Sequence, residues 1–257
     1  MTHTTPRSQE PAVDLIQARG TEESEWREWA GWSELPQLAL PASGRAVVVA
    51  AHPDDEVLGF GGSISLLAAS ELDLTVVTVT DGERSHPHSR VETPESLARI
   101  RAKETRAALA ELGAADVDIV RLHVPDTEVA RHEDRVAAAL ADVMMGAVLC
   151  AAPWTGDLHT DHEAAGRAAL TASDTAGVPC LHYPVWMWHW AHPGDHRVPW
   201  SDAARIPLPP PALARKAAAI QCFTSQISPL GPEPGDAAIL PPDEIAHHLR
   251  PAEVVFR

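Results

Sequence analysis

No stretch of this chain approaches the roughly 18 consecutive apolar residues of a membrane span, and no insertion into a bilayer is expected. Cysteine is nearly as scarce. Cys150, Cys180 and Cys222 are odd in number, widely spaced and set among apolar neighbours. That pattern argues against a disulfide framework and predicts reduced core thiols in a cytoplasmic protein. Positive charge is also short: 20 Lys and Arg stand against 36 Asp and Glu, a formal charge of -16, and no basic stripe offsets it. Nucleic acid and anionic membrane surfaces are therefore excluded as partners. Met1–Arg7 is not followed by an apolar segment of signal-peptide length, which predicts a soluble chain. Internal repeats and long low-complexity segments are missing too.

What is present is enough apolar content, 45% over 257 residues, for one large domain. Residues 1–44 read as a polar leader followed by a short acidic helix, Thr21–Trp32. Its Trp26, Trp29 and Trp32 would pack on the domain or on a second subunit. From residue 45 onward strands alternate with helices: strands at 45–50, 73–80, 117–122, 147–152 and 179–185, and helices near 61–70, 94–112, 132–145 and 161–175. Such βαβ alternation predicts a single-domain Rossmann-like α/β fold, a doubly wound and mostly parallel sheet with helices on both faces. The domain would run to residue 257. It closes with a proline-rich segment that holds a helix near 211–221 and a last strand at 253–256. If strand four returns beside strand one, the ligand crevice lies between the loops that follow those two strands.

Both loops are dense in metal-ligating groups. The first reads Ala51-His52-Pro53-Asp54-Asp55-Glu56 ahead of a glycine-rich turn, and the second runs from Trp154 through His159-Thr160-Asp161-His162-Glu163. A catalytic zinc takes three protein ligands and leaves a fourth position for water. His52, Asp55 and His162 can supply such a set. Asp54 is then free to act as general base toward a metal-activated water, and His159 as imidazolium can stabilise an oxyanion or protonate a leaving nitrogen. Asp161 fits a supporting role, orienting His159 through a hydrogen bond.

These motifs, with Thr78-Val79-Thr80-Asp81-Gly82-Glu83 as a weaker third, resemble the PIG-L/LmbE-like family of zinc-dependent N-deacetylases. The resemblance covers about residues 45–185 and, more loosely, Lys216 to Gln226. It implies the same assignment: His52, Asp55 and His162 on the metal, Asp54 as base, and His159 beside the oxyanion or leaving group. The implied reaction removes the N-acetyl or N-acyl group of an amino sugar or N-acetylglucosamine glycoside. The implied cofactor is one Zn²⁺ per chain, with Fe²⁺ as the alternative, and a homo-oligomer is compatible with it. Two residues depart from the family pattern. Thr160 stands where proline is frequent, and Asp157 stands where mycothiol-pathway deacetylases carry a tyrosine; the one tyrosine of this chain is Tyr183.

Other residues are candidates for substrate contact. Arg84 would hold a hydroxyl or phosphate, Asp126 follows strand three at the site end, and Trp154 would line the pocket. Asp81, Glu83, His86 and His88 read equally well as loop polarity. Trp186, Trp188 and Trp190 alternate, as in an extended segment with three indoles on one face; core packing is preferred there over a sugar-stacking platform. His189 and His192 are further polar groups near the entrance, and Glu56 anchors the first loop. Three competing functions remain. One is an amidase for a larger amide such as a thiol conjugate or acylated antibiotic; another is a non-catalytic sugar-binding relic. A nucleotide-binding domain is disfavoured, because carboxylates after strand one repel a pyrophosphate.

Overall fold

The computed structural model describes residues 15–257. The predicted leader at 1–14 falls outside them. A seven-stranded sheet in the order β3-β2-β1-β4-β5-β7-β6 forms the centre. Its strands are β1 Ser43–Ala50, β2 Glu71–Thr80, β3 Asp118–Val124, β4 Leu149–Pro153, β5 Cys180–Tyr183, β6 Ala203–Pro207 and β7 Ala252–Phe256. The first five run parallel, and β7 and β6 close the far edge antiparallel. The expected Rossmann-like α/β fold is thus present. β6 is an addition: its proline-flanked sequence carries little strand signal, and pairing with β7 defines it.

The helices are α1 Glu23–Glu28, α2 Asp55–Ala68, α3 Pro94–Glu111, α4 Glu133–Met144, α5 Thr160–Ala176, α6 Met187–Trp190 and α7 Pro210–Ile220, with two shorter ones after them. Val47, Val48 and Val49 of β1 are all fully buried because helices cover both faces of the sheet. On one face α2, α3 and α7 cover a core of large side chains including Phe60, Tyr183 and Phe223. The opposite face is filled by smaller groups: Ala164, Ala165, Ala168, Ala169 and Ala172 of α5 meet Val136, Ala137 and Leu140 of α4. A third cluster gathers Trp26, Trp154, Trp188, Trp190 and Phe256. Among the described residues no helix is long and apolar enough to cross a membrane.

Three local expectations need correction. The glycine-rich stretch after the first loop is helical: α2 begins at Asp55, six residues before the expected start. Its glycines serve close packing, since a Cβ on Gly59 would lie 2.1 Å from the Tyr183 ring and one on Gly62 2.5 Å from Leu208. The helix expected over 21–32 is broken after Glu28 into a separate 3₁₀ turn, Ala30–Ser33. Trp32 donates its ring N–H to the Trp26 carbonyl, an oxygen that an unbroken helix would need for its own ladder. Finally, Met187–Trp190 is a helical turn, so the three indoles do not share an extended face. Trp188 and Trp190 are buried, in agreement with the preferred core role.

Candidate metal centre

The sheet order places β4 beside β1, so the loops after these two strands meet at the switch point of the strand order. The first delivers His52 and Asp55, the latter in the opening turn of α2; the second delivers His162 in the opening turn of α5. Their donor atoms converge. His52 Nδ1 lies 3.2 Å from His162 Nε2, His162 Nε2 lies 3.2 Å from Asp55 Oδ1, and His52 Nδ1 lies 3.6 Å from Asp55 Oδ2. Ligands bonded tetrahedrally to zinc at about 2.0–2.1 Å stand roughly 3.3 Å apart. The pairs His52 Nδ1–His162 Nε2 and His162 Nε2–Asp55 Oδ1 have that spacing, while the third edge of this residue triangle runs to the other Asp55 oxygen, Oδ2, which also accepts the His52 backbone N–H at 2.8 Å.

Each histidine is turned by carboxylates on its other side. His162 Nδ1 donates to Asp157 at 2.7 Å. His52 Nε2 lies 3.1 Å from Asp126 Oδ1 and 3.3 Å from Asp161 Oδ2. Pinning one ring N–H to a carboxylate fixes the tautomer and aims the other nitrogen's lone pair at the centre of the triangle. His52, Asp126 and Asp161 form a triad in which one donor atom of each lies within 4.8 Å of the others, as do His52, His159 and His162. The first of these is less available to an ion. Asp161 already accepts the amides of Thr127 (2.7 Å) and Val129 (3.1 Å), and Asp126 accepts that of Arg84 (2.9 Å).

The first residue of the Asp pair, Asp54, stands apart from the triangle. Asp54 is strained, with φ 136°, a conformation costing on the order of 1–3 kcal/mol for a non-glycine residue. Arg101 of α3 holds it there, donating to the Pro53 carbonyl (2.6 Å), to Asp54 Oδ2 (2.8 Å) and to the Gly82 carbonyl (3.1 Å). Among the described residues the other positive-φ non-glycine positions are His123, Thr127 and Leu158, at or just past the ends of β3 and β4. Backbone strain is therefore concentrated at the site end of the sheet.

Burial raises the Asp54 carboxyl to about 6 despite the neighbouring Arg101 charge. Burial and the Asp54 charge push Glu56 up to about 8. His162 goes the other way from its burial, because Asp55 and Asp157 outweigh it and raise the ring to about 9. His159 is lowered to about 2 by burial and then by the neighbouring His162 and His52, and its Nδ1 is buried without a partner. This lowering works against the imidazolium form expected from the sequence.

The donor triangle borders a cavity of about 530 Å³ whose walls include Asp54, Arg84, Arg101, Asp126, His159 and Trp186. A cavity of about 590 Å³ between α3 and β3 is slightly larger, but Lys103, Arg106 and Arg121 line it and no acid–base set converges there.

Residues 47–173 match the PIG-L family, described as GlcNAc-PI de-N-acetylase. The chain carries a PIG-L domain. The diacetylchitobiose deacetylase of Thermococcus kodakarensis is 30% identical over 139 residues, 52% of this chain and 51% of that protein; the match spans about half the length of that curated relative. Among solved structures, the pseudoaglycone deacetylase of an antimicrobial reagent is similar in fold, with a TM-score of 0.59 at 20% identity over 84% of this chain and 97% of that one. The zinc-inhibited form of a teicoplanin deacetylase matches at a TM-score of 0.55 and 19% identity, over 71% of this chain and 85% of that chain. At these identities the two structures speak to fold alone.

Within the PIG-L domain most candidate residues meet, but two do not stand where the sequence put them. Asp161 makes no bond to His159: positions two apart on a helix point to different sides, and its carboxylate faces Thr127, Val129 and His52. Trp154 is 7% exposed and packs on Phe256 (4.7 Å between ring centres) and Trp190 (6.3 Å), away from the cavity wall. Arg84 and Asp126 do line the cavity, with the Arg84 guanidinium bonded to Glu128 at 3.0 Å. Of the indole trio only Trp186 reaches it. His189 lines it too, with its ring bonded to Glu244 at 2.7 Å.

Arg101 was missed. A usable signal existed, since Arg101 and Glu104 fall on the helical face of Leu97, Thr105 and Ala108 that turns inward. Both are buried, and Glu104 accepts from Thr224 and Ser225. Ile239, Leu240 and residues 16–18 of the N-terminal segment also line the cavity without a sequence signal, because only tertiary folding brings them to β1.

Proposed function

We propose that this chain is a metal-dependent N-deacetylase, a hydrolase that removes the N-acetyl or N-acyl group from an amino sugar or N-acetylglucosamine-containing substrate. The observation that carries this reading is the meeting of His52 Nδ1, His162 Nε2 and the Asp55 carboxylate, with 3.2 Å between the two nitrogens, 3.2 Å from His162 to Oδ1 and 3.6 Å from His52 to Oδ2. In it His52, Asp55 and His162 hold the ion; Zn²⁺ suits two imidazoles and a carboxylate, and Fe²⁺ is the alternative. A bound zinc supplies a water acidified to a pKa of about 7 and polarises the amide carbonyl.

The protein's own groups do the rest. Asp54, held by Arg101 and raised to about 6, accepts the proton of the attacking water near neutral pH. His159, on the cavity wall, hydrogen-bonds the carbonyl oxygen as negative charge develops there. Arg84 and Asp126 meet sugar hydroxyls, and Glu56 keeps the Asp54 backbone in place through the 3.1 Å bond from Asp54 N–H to its Oε2. Asp54 returns the proton to the leaving nitrogen, the C–N bond breaks, and a carboxylate and a free amine are released. The description of the family as a GlcNAc-PI de-N-acetylase and the diacetylchitobiose deacetylase relative support this assignment.

A larger amide is the second reading, favoured by one observation. Ile16, Leu58, Val185, Trp186, Ile239 and Leu240 give the cavity an apolar side, which suits an apolar aglycone or acyl chain. An amine-release assay decides between them. The zinc-loaded protein is offered N-acetylglucosamine, chito-oligosaccharides, N-acetylglucosaminides with polar and apolar aglycones, and long-chain N-acylglucosamines. Release from any class supports hydrolysis and ranks the substrates; no release from all of them, with one zinc bound, overturns the proposal.

A further inference from the structure

Beside Trp32, which packs against the tryptophan cluster, lies a cavity of about 420 Å³. Arg27, Trp32, Arg205 and residues 249–252 line it, and it shares no wall residue with the PIG-L cavity. Its apolar lining comes from Trp32, Leu249, Pro251 and Ala252. Its polar lining is three guanidinium groups. Glu23 is the carboxylate that answers them: Oε1 accepts from Arg27 Nε (3.1 Å) and Arg250 Nε (3.0 Å), and Oε2 accepts from His247 (2.9 Å). Arg205 projects from β6 with no hydrogen bond or ion pair from its guanidinium among the described residues, and its Nε is buried without a partner.

Three guanidinium charges less one carboxylate leave a surplus of two at the cavity wall, in a chain whose net charge is -16. A buried donor on a charged group that lacks an acceptor is costly, on the order of 1–3 kcal/mol or more. Arg250 illustrates what the fold does when it consumes its own arginines. It is bonded to Glu23 and stacked 4.2 Å from the centre of the Trp188 ring. Arg205 has neither form of support. Guanidinium presents a planar fork that matches a carboxylate bidentately, and Trp32 offers an adjoining flat surface.

We propose that this cavity is a second ligand site, which takes a small organic carboxylate with a flat or branched apolar body. The carboxylate binds between Arg205 and Arg27, and the apolar body lies against Trp32, Leu249 and Pro251. The site is independent of the deacetylase reading.

Calorimetric titration of 3-phenylpropanoate into the full chain tests it, after dialysis against a chelator so that no metal competes for the carboxylate. Saturable one-to-one binding is expected. It should weaken at least about tenfold in Arg205→Gln and about threefold in Arg27→Gln, whose residue lies on the surface and leaves the fold intact. The uncharged analogue 3-phenylpropan-1-ol should bind at least about tenfold more weakly. Amine release by the zinc-loaded Arg205→Gln protein should match the wild type. Equal affinity of both variants and the wild type, equal affinity of acid and alcohol, or no binding of the acid each overturns the proposal.

Discussion

Helix α2 touches two buried groups of acids, and the chain treats them differently. Midway along the helix, Glu253 accepts from Gly62 N–H (2.7 Å), Ser63 N–H (2.8 Å) and the Ser63 hydroxyl (2.6 Å), and it pairs with Lys216 Nζ at 2.7 Å. Both charged residues are nearly inaccessible, and each answers the other. At the N-terminal end of the same helix, Asp55, Asp126, Asp157 and Asp161 surround His52 and His162. Four carboxylates face at most two positive imidazoles, and among the described residues no Lys or Arg side chain bonds to any of the four carboxylate groups. A fold that can neutralise a buried carboxylate completely has left two charges unanswered at one place. That deficit, together with the donor triangle, is what a divalent cation would fill.

The difference is most sharply broken by removing a corner of the triangle. His162→Ala should lower bound zinc from about one per chain to near none by elemental analysis, and amine release should vanish with it. Asp54→Asn should separate chemistry from metal: zinc content stays near one, while kcat falls by about 10²–10⁴-fold, the usual worth of a general base. Wild-type turnover in that variant would remove Asp54 from its role.

At the other acid group, Lys216→Met leaves Glu253 buried and unpaired and should cost about 3–5 kcal/mol in urea unfolding. The double variant Lys216→Met/Glu253→Gln should recover much of that loss, because it removes the charge along with its partner. Asp157→Asn should weaken zinc affinity about 10–100-fold by competition titration, the usual effect of losing a carboxylate behind a histidine ligand.

The smallest effect belongs to Glu23, where hydrogen bonds from His247 and Arg250 outweigh burial and lower the carboxyl to about 2. A carboxyl depressed in the folded state stabilises fully above its unfolded pKa, and that contribution drains away as pH falls from about 4.5 toward 2. The unfolding midpoint of Glu23→Gln should accordingly fall less steeply than that of the wild type over this window.

Much of the site could be read from residue order. Val47–Ala50 is an uninterrupted apolar strand, two ligand-rich loops follow β1 and β4, and parallel topology requires those loops to meet. What was illegible depends on contacts distant in sequence. Gly59 and Gly62 look like turn residues until Tyr183 and Leu208 are seen pressed against them. Asp161 sits in the right motif, but the helix phase that aims it at Thr127 and Val129 is fixed only once α5 starts at Thr160. Trp186–Trp190 alternates like a strand, yet Asp157 gathers the amides of Val185, Trp186 and Met187 into a turn.

That last carboxylate makes two properties hereditary together. One oxygen of Asp157 takes both the His162 ring N–H and the Trp186 amide, so the loop that shapes the apolar cavity wall and the imidazole facing the donor triangle share one support. Selection for a new substrate acting through the 184–190 loop would disturb the metal end as well. Variants that reshape that wall should therefore arise mainly in backgrounds where Asp157 is untouched, with change channelled instead to Ile239, Leu240 and residues 16–18, the wall positions on other segments of the chain.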